Sequence, residues 1–261
     1  MQPTELDASE DVFIWGNNTG INGDDLEASD SYIDNHSCVN KISSFFVGSS
    51  PMLYSRLKPK VLNILRDGCY KVLNDMPTSN IYDTLPGGRS EFLHQAIKGG
   101  YIDNTTVEVI HMFIRESILN YILENRDMYS NETDTINQQD VYDLLSVSIN
   151  LTRMHDYHRT HDHRCDLSGA IYLDVDTDVI NTDNNPQGCI EWFTNSSTYL
   201  RHTSPFAYAT FQPKSGDCCL WSGIVPHHVY PTFKPTDRLM LTYNANFIID
   251  DDAIIGEAQT K

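Results

Sequence analysis

From about residue 144 the chain breaks into short apolar runs separated by Gly, Pro, Asn and Asp. This texture limits the possible folds more than any other feature of the sequence. "LSVSINLTRM" alternates as a half-buried strand does, and "GAIYLDV", "GCIEWFT", "YATFQP", "GDCCLW" and "RLMLTYNANF" follow with turn-forming residues between them. Short strands punctuated in this way predict an antiparallel sandwich or barrel. Ahead of them the spacing predicts two helices. One covers 53–75, where Leu57, Val61, Ile64, Leu65, Val72 and Leu73 recur at helical intervals and Pro59 sits near the start. The other covers 105–125, with Thr105 as N-cap, Glu108 three residues later, and an apolar stripe of Val107, Ile110, Ile114, Ile118, Tyr121 and Ile122. The expectation is an α+β, mainly β protein in which N-terminal helices pack against a C-terminal β core.

The division that follows is an acidic, loop-rich segment over 1–40, a helical supporting region over 41–143, the β core over 144–250 and a tail over 251–261. The first segment holds nine acidic residues and no Lys or Arg, and an edge strand is expected around Val12–Trp15. A Pro-Gly-Gly break stands at 86–88.

The chain has 261 residues and a formal net charge of −18. A surface of that sign repels phosphate backbones and anionic lipid, so it disfavours nucleic acid and membranes as general partners. The first basic residue is Lys41, which leaves no positive region for a secretion signal, and no apolar run is long enough to span a bilayer. The six cysteines (Cys38, Cys69, Cys165, Cys189, Cys218 and Cys219) form no CxxC pair and read as reduced thiols of a cytoplasmic protein.

Chemistry concentrates in "YHRTHDHRCDLSGAIYLD" (157–174), three histidines at the mouth of a strand. In an extended segment positions i and i+2 share a side, so His161 and His163 can face one point. "GIVPHHVYP" supplies His227 and His228, which as strand neighbours face opposite ways, so one of the two can join the first pair. Arg238 opens "RLMLTYNANF", a run that should be buried, with no acid inside that strand to pair with it. Neutral imidazoles suit iron, copper, nickel or zinc, and a guanidinium fork suits a carboxylate. Together they indicate a metal and an organic acid. His36, His94, His111, His155 and His202 read as structural; His158 and His228 read as neighbours of the site; Trp192 and Trp221 read as core or pocket wall.

"YHRTHDH", "LSGAIYLD", "PKSGDCCLWSGIVPHHVYP" and "RLMLTYN", in this order, resemble the double-stranded β-helix (jelly-roll, cupin-like) core of the iron(II)- and 2-oxoglutarate-dependent oxygenases. The nearest likeness is to a bacterial and phage subgroup, related to prolyl hydroxylases, that carries an HxH motif. The resemblance implies a dioxygenase using Fe(II), 2-oxoglutarate and O2 to hydroxylate a small-molecule or protein substrate. It assigns His161 and His227 as metal ligands and puts His163 where most of the superfamily has Asp or Glu. It assigns Arg238 to the C5 carboxylate of 2-oxoglutarate, with Tyr172 beside it. Met240 stands where many relatives have Ser or Thr, and Thr242 is the compensating candidate. Asp166 is an alternative carboxylate for the metal.

Two other readings stay open at this level. One is a three-histidine dioxygenase without 2-oxoglutarate, or a zinc hydrolase. The other is a non-catalytic jelly roll of structural or virion-associated type, in the host cytoplasm or the virion, with the acidic N-terminal segment as an assembly arm; a homo-oligomer would form through the N-terminal helices.

Overall fold

The computed structural model describes residues 14–15, 37–47, 50–77, 88–125, 142–176, 186–193 and 208–248. Most of the acidic N-terminal segment, the C-terminal tail, His36, His202 and the start of the Pro-Gly-Gly break lie outside them.

In chain order the elements are β1 (Ile14–Trp15), β2 (Val39–Val47), β3 (Ser50–Leu57), α1 (Pro59–Asp75), β4 (Arg89–Phe92), α2 (Leu93–Gly99), α3 (Asn104–Glu124), β5 (Tyr142–Thr152), β6 (His158–His161), β7 (Leu167–Asp174), β8 (Ile190–Phe193), β9 (Tyr208–Phe211), β10 (Asp217–Ser222), β11 (His227–Val229) and β12 (Arg238–Phe247). Two sheets form. The larger runs β2-β3-β10-β7-β12-β5-β4 and the smaller β1-β9-β8-β11-β6. Every pairing is antiparallel. The antiparallel arrangement is the one expected from the strand texture, and the fold is the double-stranded β-helix that the resemblance implies, with helices against one face.

β7, β10 and the first half of β12 are buried on both sides, which is why they read as nearly continuous apolar runs. On β12, Leu239, Leu241, Tyr243 and Ala245 enter a core shared with α1 and α3, whereas Met240 enters a second core between the sheets. β7 divides in the same way, with Leu167, Ile171 and Leu173 toward the helices and Ala170 and Tyr172 toward the smaller sheet. The period-2 alternation of a strand produces this sorting.

Two local expectations are corrected. Residues 53–57 are not the first turn of a helix: they belong to β3, and the helix begins at Pro59, where a missing N–H costs nothing. β3 pairs with β2 and β10, so burial between sheets outweighs the helical spacing of Leu57 and Val61. The N-cap of α3 is Asp103, not Thr105. Its Oδ1 accepts from the Thr106 backbone N–H at 2.9 Å and its Oδ2 from the Thr106 hydroxyl at 2.8 Å. These bonds hold the Asp103 carboxyl below the usual carboxylate range.

Three strands from the region read as helical support, β2, β3 and β4, complete the large sheet. Arg89 on β4 fastens this addition. Its Nε donates to Glu91 Oε1 at 2.7 Å, and its terminal nitrogens donate to the carbonyls of Leu73 and Met76 at the end of α1. All six cysteines are free thiols and buried, as expected. No described helix is long and apolar enough to cross a membrane.

Candidate metal centre

β6 and β11 lie side by side in the small sheet, and their register sets His161 opposite His227. On its other side β11 sets His227 opposite Trp192 of β8. His163 arrives differently from the sequence argument. β6 ends at His161, and His163 sits on the following loop, where its backbone N–H donates to the Gly223 carbonyl at 2.9 Å. Gly223 N–H in turn donates to the Asp166 carbonyl at 3.0 Å. A Cβ at position 223 would come within 2.5 Å of the Cys165 carbonyl oxygen, so only glycine lets the two loops meet this closely.

The three rings converge. Their centroids are 4.5 Å apart for His161–His227 and 5.0 Å for the other two pairs. One ligand nitrogen from each lies within 4.8 Å of the others. The Nε2 atoms of His163 and His227 are 3.3 Å apart.

Backbone carbonyls set which nitrogen carries the proton. His227 Nδ1 donates to the Val225 carbonyl at 3.0 Å and His161 Nδ1 to the Arg159 carbonyl at 2.6 Å. A carbonyl can only accept, so in the neutral rings Nε2 keeps the lone pair that a metal needs. Burial, reinforced by the neighbouring histidines, pushes His227 down to about 3; burial and His161 push His163 down to about 4. Both rings are therefore neutral donors at physiological pH. The donor set fits a divalent transition metal.

No carboxylate joins the cluster among the described residues. Asp162 is 43% exposed on its side chain and lies 3.9 Å from Arg164 at the surface. Asp166 Oδ2 is engaged by the Phe247 backbone N–H at 2.8 Å. His158 and His228 stand outside the triad; the His228 ring contacts Phe193 and Tyr230 and approaches Glu191 at 3.9 Å. His94 and His111 are exposed on helices, and His155 packs its ring against Phe233.

Arg238 is 5% exposed. Its Nη1 donates to the Gly188 carbonyl at 2.5 Å and its Nε to Thr152 Oγ1 at 3.2 Å. Among the described residues no carboxylate lies within ion-pair distance of it. Gly188 adopts φ +68°, a conformation that presents this carbonyl at glycine's low cost. Burial pulls the Arg238 guanidinium below its usual range, and the Tyr172 and Cys189 side chains oppose that. Tyr172 is buried on the same interior face, and burial drives its hydroxyl well above the ordinary tyrosine range. Thr242 shares the Arg238 face of β12 but lies four residues on, about 13 Å along the strand. Its Oγ1 accepts from Asn150 Nδ2 at 2.9 Å. The buried guanidinium with only neutral partners fits a carboxylate ligand.

Two sheets on an apolar core, a histidine triad on the smaller one and an arginine buried without a carboxylate partner among the described residues define a double-stranded β-helix with a candidate metal site. Residues 147–244, which include His161, His163, His227 and Arg238, match the family model described as "Putative 2OG-Fe(II) oxygenase". The match spans 98 of the 261 residues and marks this region as similar to that family of oxidoreductases. The solved structure of SnoK, a non-heme α-ketoglutarate-dependent carbocyclase of nogalamycin biosynthesis, is similar at a TM-score of 0.51 and 13% identity, over 74% of this chain and 78% of that one. The epimerase SnoN of the same biosynthesis gives a TM-score of 0.50 at 12% identity over 74% and 76%. At such identities these likenesses establish the fold. No curated protein matches the sequence.

Proposed function

We propose that this protein is an Fe(II)- and 2-oxoglutarate-dependent dioxygenase that hydroxylates a small-molecule or protein substrate. The single observation that carries the reading is the buried Arg238 guanidinium, held by neutral acceptors beside Tyr172, whose core also holds the Trp221 that meets the His227 ring. A barrel with a purely structural task gains nothing by burying an unpaired cation. A three-histidine enzyme without an acid cosubstrate has no use for it either.

In this reading His161, His163 and His227 hold the metal through Nε2, with the Val225 and Arg159 carbonyls fixing the His227 and His161 rings. Arg238 receives the C5 carboxylate of 2-oxoglutarate, and Tyr172 offers its hydroxyl to the same group. Thr242, its oxygen already accepting from Asn150, has its proton left to donate. When bound, iron(II) and 2-oxoglutarate supply an O2-dependent oxidation in which the cosubstrate leaves as succinate and CO2, one oxygen atom enters the succinate and the other the substrate C–H bond. The apolar wall of Ile190, Phe211, Met240 and the two tryptophans keeps bulk water from the interior. With three neutral ligands, this chain adds no negative charge to the metal, so the anionic cosubstrate is its first charge partner.

The test is anaerobic reconstitution with Fe(II) followed by 2-oxoglutarate, read as the visible metal-to-cosubstrate charge-transfer band. The band is expected in the wild type, abolished by His227→Ala and weakened by Arg238→Ala. A folded, iron-loaded wild type with no band overturns the cosubstrate assignment.

A further inference from the structure

Trp192 and Trp221 are 1% and 2% exposed, and neither indole Nε1–H has a hydrogen-bond partner among the described residues. A buried N–H without an acceptor costs about as much as a lost hydrogen bond, and native interiors avoid it. The two rings meet edge to face with centroids 5.5 Å apart, yet neither can satisfy the other, because an indole only donates. Their other neighbours do not help. Phe211 lies 6.3 Å from Trp192, Ile190, Val225, Val229 and Met240 offer no strong acceptor, and neither hydroxyl of this core, Tyr54 or Tyr172, bonds an indole. Among the described residues no acceptor stands ready for these donors.

The two donors sit at the metal end of the interior. Trp192 is the register partner of His227, and the Trp221 ring meets the His227 ring edge-on at 5.1 Å. Arg238 reaches the carbonyl of Gly188, four residues back along the chain from Trp192. Arg238 and the two indoles thus border one core through Tyr172, and no described carboxylate lies within ion-pair distance of Arg238.

Resting on the oxygenase reading above, we propose that Trp192 and Trp221 are positioning donors for the metal-facing end of the cosubstrate. Their indole N–H groups hydrogen-bond the C1 carboxylate or keto oxygen of an α-keto acid whose far carboxylate is held by Arg238. The site thus reads both ends of one small dianion, and it favours α-keto dicarboxylates over dicarboxylates that lack acceptors at the second carbon.

The sequence has three tryptophans, so the protein gives three indole N–H signals in a proton–nitrogen correlation spectrum. Trp15→Phe, on the outer strand β1, identifies the other two. The measurement uses full-length protein loaded with diamagnetic Zn(II), titrated with 2-oxoglutarate, with binding followed in parallel by calorimetry. Both inner indole signals are expected to move downfield and exchange more slowly with solvent as 2-oxoglutarate binds, and the Trp15 signal to stay. Trp221→Phe is expected to weaken 2-oxoglutarate about 10–100-fold, the range of a hydrogen bond to a charged group, with Zn(II) affinity unchanged. Binding that depends on Arg238 while both inner indole signals stand still overturns this inference and leaves the oxygenase reading intact. No calorimetric binding by the Zn(II) or Fe(II) form overturns both. The wild-type spectrum decides the matter even where a tryptophan variant does not fold.

Discussion

The two faces of the large sheet are built on opposite terms. Against α1 and α3 the sheet buries Leu, Ile, Phe and Tyr, and the charged groups around that layer are paired: Arg89 with Glu91 and two helix-end carbonyls, and Asp103 with Thr106. Toward the smaller sheet lie a guanidinium and two indole donors with no carboxylate or acceptor among the described residues, and two imidazoles pushed toward neutrality. One face stabilises the fold. The other keeps polar groups whose burial without partners raises the free energy of the protein, groups that the proposed cosubstrate would satisfy. Because strand side chains alternate, one strand serves both tasks: Leu239 and Leu241 pack on helices while Arg238 and Met240 face the interior.

This contrast can be broken by mutation. The largest effect is expected at Arg89→Ala, which strands the 2% exposed Glu91 carboxylate and frees the end of α1. Breaking such a buried pair costs about 3–5 kcal/mol, measurable by urea unfolding. A loss below about 1 kcal/mol would mean that the helical face is not where stability resides.

Acid comes next. The folded-state values of His163 and His227 lie below the ordinary histidine value, so between about pH 6.5 and 3 the unfolded chain binds more protons than the native one. Stability should therefore be full above pH 6.5 and fall as pH drops through that window, by roughly 4 kcal/mol from the deeply buried His227 and less from His163, whose partly exposed ring solvent screens. His163→Gln should flatten part of the slope seen in unfolding curves of the metal-free protein.

Asp103→Ala is a smaller change, about 1 kcal/mol for the lost cap of α3. Since the Asp103 carboxyl is depressed in the folded state, that contribution is present above its unfolded value and disappears as pH falls through the folded one. Thermal unfolding at neutral and at acid pH checks it. The smallest change in stability belongs to Arg238→Met. Replacing an unpaired buried cation by an apolar side chain of similar length should leave the melting temperature of the metal-free protein unchanged or raise it, while 2-oxoglutarate binding measured by calorimetry is lost. A strong destabilisation would show that Arg238 is structural after all.

The sequence carried much of this arrangement in local spacing. Runs of alternation marked β5, β7, β8, β9, β10 and β12, and the helical stripe marked α3. β2 and β3 were hidden because "VNKISSFFV" and "SPMLYSRL" mix polar residues into positions that only the finished sheet buries. The candidate site was legible as residue types: His161, His163 and His227 converge, and Arg238 is buried as its surroundings required. The reason for His163 was not legible, since its place depends on a loop pinned by Gly223, sixty residues away.

The sequence by itself determined which side chains alternate, where histidines stand beside a strand, and that an arginine would enter an apolar run without an acid. These follow from backbone periodicity and from the cost of burying charge. The tertiary structure alone decided that His161 faces His227, that Asp162 and Asp166 stay out of the cluster, that three N-terminal strands close the large sheet, and that two tryptophans meet beside the triad with their donors unspent. Each of those depends on pairing between distant segments. Local spacing fixes the face on which a side chain stands; packing of the whole chain selects what it faces.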